Sequence, residues 1–317
     1  MAPTVRLFPM HQLPPGYGGT LDHPPDPPAA PRPASTLVLL RNGAHGIEIL
    51  LLKRSRRMGF IPGAYVFPGG AVDRADGDPE VLPHLAGLSP HEARTRLGML
   101  ERGTGAMDAA RPAPVAYFVA ALRETFEETG ILLGAPPGGC RTVPVGGGSR
   151  EGGVRARLLE DRCTFRQALE ELAPDGTAPG EPQPHRRPRL EGATGSRPEK
   201  LDAGSLRFIG RWITPEVEPR RYDTLFFAAE VPAGCRVEPH RGEVEEALWI
   251  SPTAALQRNR AGLLPLVYPT LRTLEELEPF QDAREALAHF QGRSFPPLLP
   301  QLHRKPAGIQ ITLDDTA

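Results

Sequence analysis

Cysteine is scarce. Cys140, Cys163 and Cys235 are the only three in 317 residues, and no two form a C-x-x-C pair. The odd count argues against a disulfide framework, and a reducing, cytoplasmic setting is the expectation that follows. Net charge is nearly absent, at −1, so composition gives no pull toward nucleic acid or an anionic membrane surface. No apolar run reaches 18 residues, and no basic region followed by an apolar one opens the chain. Neither a membrane span nor a signal peptide is therefore expected. Chemistry-bearing patterns are missing too. The nine His form no H-E-x-x-H or H-x3-H pair, which leaves zinc hydrolysis without ligands. Gly146-Gly147-Gly148-Ser149 lacks the Lys-Ser/Thr ending of a P-loop, and no G-x-S-x-G elbow occurs.

Proline and glycine are plentiful, at 38 and 34, beside 39% hydrophobic residues. That combination predicts a packed core with long loops and tails. Residues 1–34 read as a Pro-rich leader, extended or floppy, with docking on a partner subunit as the sharper option. Ser35–Arg41 and Ile47–Lys53 read as a hairpin, and Tyr65–Phe67 as a short strand broken by Pro68-Gly69-Gly70. Ser89-Pro90-His91-Glu92 is a capping box whose helix should run to about Glu101. A second helix should start near Pro114 or Val115. Residues 134–163 read as irregular, Thr164–Gln167 as another capping box, and 174–200 as a loop with solvated charge at Arg186-Arg187-Pro188-Arg189. Leu206–Ile213, Tyr222–Val231 and Val244–Ile250 read as strands. Ser251–Gln257, Leu264–Leu277 and Asp282–Phe290 read as helices, followed by a tail over 291–317. Strands and helices alternate without a regular βαβ rhythm, so an α/β (α+β) fold with a mixed sheet is expected.

One run carries the chemistry: Arg123-Glu124-Thr125-Phe126-Glu127-Glu128-Thr129-Gly130-Ile131. On a helix Glu124, Glu127 and Glu128 fall at i, i+3 and i+4, on one face. Three like charges on one turn repel and raise one another's pKa. A hard divalent cation, Mg²⁺ or Mn²⁺ rather than zinc, relieves that repulsion through oxygen ligands. The bland alternative is a solvated acidic face.

Together with Phe67-Pro68-Gly69-Gly70 and Asp76, this run resembles the Nudix hydrolase signature, G-x5-E-x7-R-E-U-x-E-E-x-G-U with U bulky and apolar. Gly70 supplies the first Gly. Asp76 stands in the Glu position and Thr125 in an apolar one. Residues 77–122 separate Asp76 from Arg123, where the signature has seven. The box is thus split by an insertion at about 77–115, and a second insertion covers about 134–200 of a domain spanning 35–290. The resemblance implies a Nudix-type α/β/α sandwich, with Glu124, Glu127 and Glu128 as catalytic metal ligands and Arg123 orienting a glutamate. It also implies a late acidic residue as an extra metal ligand or base. Glu243 and Glu246 are preferred over Glu245, with Glu243 placed among the catalytic residues and Glu246 among the metal ligands.

Leu50-Leu51-Leu52-Lys53-Arg54-Ser55, Gly63 and Phe67-Pro68-Gly69-Gly70 are similar to the coenzyme A motif L-L-T-x-R-[SA]-x3-R-x3-G-x3-F-P-G-G. Leu52 and Gly59 replace its Thr and second Arg. Arg54–Phe60, Arg211–Glu216 and Arg220–Thr224 resemble the peroxisomal-type acyl-CoA diphosphatase branch of the family. That resemblance implies coenzyme A or acyl-CoA as substrate, with Arg54, Gly69 and Gly70 binding it. Arg56, Arg57, Arg220 and Arg221 stay open between phosphate contacts and surface charge. Other readings are a pyrophosphatase of ADP-sugar or NADH, and a non-catalytic nucleotide-binding Nudix module. No nucleic-acid partner is expected, and monomer and homodimer both remain open.

Overall fold

The computed structural model describes residues 4–57, 59, 61–98, 111–134, 139–145, 149–172 and 200–313. The helix expected to run to about Glu101 instead ends at Arg96, with Leu97 as its C-cap and Gly98 at a φ of 63°; Gly146–Gly148 and the Arg186–Arg189 stretch lie outside the described residues. In chain order, β1 is Thr4–Phe8, β2 Arg32–Gly43, β3 Gly46–Arg54, β4 Tyr65–Val66, β5 Gly69–Ala71 and β6 Leu85–Ala86. Helix α1 (Pro90–Arg96) and α2 (Pro114–Thr129) lead to β7 (Ile131–Gly134) and β8 (Gly139–Thr142). Next come α3 (Arg150–Leu159), α4 (Phe165–Leu172), β9 (Leu201–Asp202), β10 (Arg207–Ile213), β11 (Tyr222–Glu230) and β12 (Val244–Ile250). The chain closes with α5 (Pro252–Arg260), α6 (Tyr268–Leu277), α7 (Ala283–His289), β13 (Pro297–Leu298), β14 (Gln301–Lys305) and β15 (Gly308–Leu313).

The main sheet is mixed and runs β12-β3-β2-β11-β10-β13. Its strands are leucine-rich and buried on both faces, as a sheet sandwiched between helices requires. Alternation sends Leu37, Leu39, Leu50, Leu52, Leu225 and Phe227 into the core shared with α2. Val38, Leu40, Ile49, Leu51, Phe226 and Ala228 enter the opposite core, under α5, α6 and α7. A one-residue slip in register would swap these sets. The result is the expected α/β/α arrangement.

The β2–β3 hairpin is paired only near its turn, from Gly43–Gly46 to Leu40–Ile49. Beyond that it forks. β5 takes the free edge of β2, with Gly70 opposite Ser35, while β4 pairs with β3. The fork puts Pro68-Gly69-Gly70 in front of α2. That helix opens with Pro114 at its first turn and stops at Gly130, whose φ of 74° suits a residue without a β-carbon. Thr125 is fully buried, and its hydroxyl donates to Ala121 O at 2.7 Å. A hydroxyl satisfied inside its own helix explains why a threonine is tolerated where the signature has an apolar residue.

Three expectations are corrected. The leader and the tail are structured: β1 pairs with β15 and β15 with β14, and Phe8, Leu302, Ile309 and Ile311 join the second core. The stretch read as irregular contains α3, capped by Ser149 Oγ accepting from Gly152 N–H at 3.0 Å. Cys140 and Cys235, 95 residues apart, form a disulfide. The insertion helix α1 does sit in its capping box, and Ala93 and Leu97 pack into the first core.

Candidate active site

Arg123 organises the acidic turn. Its guanidinium is buried and forks onto Asp76, with Nε to Oδ1 at 2.9 Å and Nη2 to Oδ2 at 3.0 Å. The same Nη2 donates to Ala71 O at 2.8 Å, and Nη1 donates to Glu124 at 2.8 Å and to both Glu127 oxygens at 3.3 Å. Burial works against the guanidinium's charge, but Asp76, Glu124 and Glu127 outweigh it and hold the proton firmly. Asp76 is therefore beside the helix despite the insertion that follows it, and it grips Arg123 rather than facing a ligand. A short turn fixes it: its carboxylate also accepts from Asp73 N–H at 2.8 Å.

Glu124 and Glu128 point toward the glycine pair. A β-carbon at Gly70 would fall 2.4 Å from Glu124 Cδ, so any side chain there would have to displace the Glu124 carboxylate. Glu128 accepts from Gly69 N–H at 3.1 Å. Burial raises the pKa of Glu128 well above the carboxylate range, and Glu124 and Glu243 add to it against Arg54 and the Gly69 N–H. Burial likewise raises Glu124, opposed by Arg123 and reinforced by Asp76 and Glu243. Glu127 rises to about 8, again through burial, with Arg123 opposing and Glu124 adding.

A cavity of about 420 Å³ opens beside these groups. Glu124, Glu128, Glu243, Arg54, Gly69 and Gly70 line one part of it. Glu127 does not line it and lies on Arg123. Glu246 does not line it either: it accepts from the Tyr65 hydroxyl at 2.8 Å, so this expected metal ligand is not brought to the cluster. The reason is a bulge between Val244 and Glu246, which sets Glu246 opposite Lys53. Glu243 precedes the bulge, with its carbonyl accepting from Ser55 N–H at 2.8 Å. Among the described residues, no three acidic, His or Cys side chains form a closed ligand set. The cluster is instead three carboxylates around the end of a cavity.

The arginines separate. Arg220 lines the cavity, and a β-carbon on Gly59 would lie 3.2 Å from its Nη1. A guanidinium from the β10–β11 connection thus covers the position where the coenzyme A motif carries its second Arg. Arg221 is buried and structural, donating to Thr214 O at 3.0 Å and Ala29 O at 2.8 Å. Arg56 is exposed, and its backbone N–H donates to Glu245.

Sequence reasoning missed Arg155, the largest fully buried side chain. From α3 it donates to Val143 O at 2.8 Å, to Glu127 O at 2.9 Å and to Glu238 O at 2.8 Å. Burial lowers its pKa to about 10, which still leaves it protonated at neutral pH. Glu127 O is one of the last carbonyls of α2, where a cation complements the helix dipole. His240 N–H and Glu238 N–H cap Glu128 O and Thr129 O at 2.9 and 2.8 Å. The loop that delivers Glu243 is thereby tied to the end of the acidic helix. No local sequence signal announces this role for Arg155.

Residues 25–172 match the family described as the NUDT19 Nudix domain. The chain is 30% identical over 268 residues to "Acyl-coenzyme A diphosphatase NUDT19" of Gallus gallus, covering 75% of this chain and 63% of that protein. It is 30% identical over 256 residues to the Homo sapiens protein of the same name, covering 73% and 58%. The chain thus spans 58–63% of the length of these two relatives. Among solved structures, it is similar to a NUDIX hydrolase from Alicyclobacillus acidocaldarius, at 28% identity and a TM-score of 0.54, covering 82% of this chain and 96% of that one.

Proposed function

Because this chain belongs to the Nudix hydrolase superfamily, on its NUDT19 branch, we propose that it hydrolyses the phosphoanhydride of coenzyme A or acyl-CoA. Water attacks one phosphorus and the bridging oxygen leaves with the other. The products are adenosine 3′,5′-bisphosphate and phosphopantetheine or its acyl thioester. One observation carries the reading: Glu124, Glu128, Glu243, Arg54 and the Gly69-Gly70 backbone all meet at a single cavity.

Nudix hydrolases generally use divalent metals, and the donor chemistry here fits. The ligands on offer are carboxylate oxygens alone, which suit Mg²⁺ or Mn²⁺. Glu128 is buried and Glu124 half-buried, both with raised pKa values; binding a cation would release protons from such a pair. Glu124 and Glu128 would hold the metal. When bound, it would offset the diphosphate's charge and lower the pKa of a coordinated water. Arg54 pairs with phosphate oxygens. Arg123 is a positioning residue that fixes the carboxylates of Glu124 and Glu127. Glu243, exposed to the cavity, accepts the proton of the attacking water.

The test is a substrate panel with the full chain and Mg²⁺, read by chromatography of the nucleotide product. Coenzyme A or an acyl-CoA should exceed ADP-ribose and NADH in kcat/KM by about tenfold or more, as a pocket that reads one arm of the substrate would give. Equal or better turnover of ADP-ribose or NADH would reassign the substrate. Nucleotide binding without turnover of any diphosphate would make the chain a binding module.

A further inference from the structure

Two neighbouring arginines on the β10–β11 connection are used differently. Arg221 is spent on the fold. Its guanidinium donates to Thr214 O and Ala29 O at 3.0 and 2.8 Å, and its carbonyl accepts from Arg32 N–H at 2.9 Å. Thr214 closes the same turn: its N–H donates to Tyr222 O at 2.9 Å, and its hydroxyl accepts from Tyr222 N–H at 3.0 Å. Thr20 Oγ1 donates to Val217 O at 2.5 Å and ties the turn to the N-terminal segment. The backbone that carries Arg220 is therefore held at both ends and in the middle.

Arg220 itself is left over. It is exposed, it lines the cavity, and among the described residues no hydrogen bond or ion pair holds its guanidinium. The acids close to it in sequence are engaged elsewhere. Glu218 accepts from the Gly18 N–H, and Asp223 is forked by Arg211 at 2.7 and 2.6 Å. A free guanidinium on a pinned turn is an anion site with its orientation already set.

Its place differs from that of Arg54. Gly63 N–H donates to Arg54 O at 3.1 Å and Arg54 N–H to Ala64 O at 2.9 Å, which closes an excursion over residues 55–62. Arg54 stands at the base of this excursion. Gly59 lies near its middle, where a β-carbon would fall 3.2 Å from Arg220 Nη1 and 3.7 Å from Nη2. The absence of a side chain at 59 leaves room for that fork. Arg54 is also the cation whose charge bears on Glu128, so it serves an anion held at the carboxylates. Among the described residues lining the cavity, Arg54 and Arg220 are the only cations, beside the acids Glu124, Glu128, Glu218 and Glu243. A second anionic group on a ligand has Arg220 to meet and otherwise only carboxylates.

Coenzyme A carries such a second group. Its scissile diphosphate belongs at Glu124 and Glu128, beside Arg54. What remains is the ribose phosphomonoester, nearly a dianion at neutral pH, whose three oxygens suit a guanidinium fork. We propose, resting on the coenzyme A reading above, that Arg220 binds this phosphomonoester and so selects coenzyme A over its 3′-dephosphorylated form.

The experiment is calorimetric titration of the full chain, in Mg²⁺, with adenosine 3′,5′-bisphosphate and with AMP separately. The parent chain should bind the bisphosphate about tenfold more tightly, the worth of one charge-assisted contact. Arg220→Ala should bring the two affinities within about twofold, by weakening the bisphosphate and leaving AMP unchanged. Arg220→Lys, which keeps the charge and loses the fork, should fall between. The melting temperature should stay at the parental value in both, since the guanidinium has no partner to lose. In steady-state kinetics, Arg220→Ala should raise KM for coenzyme A about tenfold with kcat unchanged, and leave dephospho-coenzyme A unaffected. Equal affinities for the two nucleotides in the parent, an undiminished preference in Arg220→Ala, equal losses on both nucleotides, or no binding of either at millimolar concentration would each overturn the proposal. Coenzyme A turnover with equal nucleotide affinities leaves the activity standing and removes the phosphate site. A bisphosphate preference that depends on Arg220, without turnover of coenzyme A, keeps the site and removes the activity.

Discussion

The two parts of the cavity are built in opposite ways. The ionic part draws most of its groups from two short runs, Gly69-Gly70 and Arg123–Glu128, joined by hydrogen bonds among close neighbours. Much of the remaining lining, such as Tyr17, Trp212, Val267, Pro269 and Pro300, comes from stretches far apart in the sequence. Carboxylates with raised pKa values crowd the first, and the second is mostly apolar. Reaction rate should therefore be sensitive to the first part and substrate choice to the second.

The largest expected effect tests that division. Glu124→Gln and Glu128→Gln should each lower kcat by about 10²-fold or more, as loss of a transition-state electrostatic contact does. Steady-state kinetics with near-parental rates in both would erase the contrast. Glu243→Gln should lower kcat by about tenfold or more, the range of a lost general base, whereas Glu246→Gln, bonded to Tyr65, should change it by less than about threefold. Equal losses at 243 and 246 would mean that the bulge does not sort these neighbours.

A stability effect comes next. Asp76→Asn leaves Arg123 buried without its forked partner, and a broken buried ion pair costs about 3–5 kcal/mol. Denaturant unfolding checks this. The pH dependence has a definite sign. Glu127 ionises near pH 8 in the folded, metal-free protein against 4.5 as an ordinary carboxyl, and Glu124 and Glu128 shift the same way. Between those values the folded state binds more protons than the unfolded one, so metal-free stability falls as pH rises from 4.5 toward 8. The gain in melting temperature from added Mg²⁺ should grow over the same interval, and a gain that shrinks with pH would contradict the carboxylate assignment. The smallest effect belongs to the surface. Arg56→Ala should leave stability within about 0.5 kcal/mol.

The same contrast explains what could be read in advance. Glu124, Glu127 and Glu128 announce themselves because helix periodicity places them on one face, and Gly70 because its spacing to Asp76 is fixed. Their surroundings were less legible. Glu246 was expected beside the metal because a one-residue bulge, which reverses facing, leaves no mark in composition. The two ends of the chain read as a leader and a tail because Thr4 finds its partner at Leu313, and pairing at that separation has no local signature. Gly152-Gly153 masked α3, whose stability comes from its Ser149 cap and the burial of Val154 and Leu158 rather than from propensity. Counting cysteines suggested free thiols, yet Cys140 and Cys235 are brought to a Cα separation of 6.3 Å, within reach of a bridge.

Arg155 also links distant parts of the chain. The helix that carries the acidic turn gives one of its terminal carbonyls to a side chain of α3, and the Glu238 carbonyl, on the way to Glu243, leans on the same guanidinium. Truncating that one side chain would strip a cation from two carbonyls at once, so damage far from the cavity would be felt at its carboxylates.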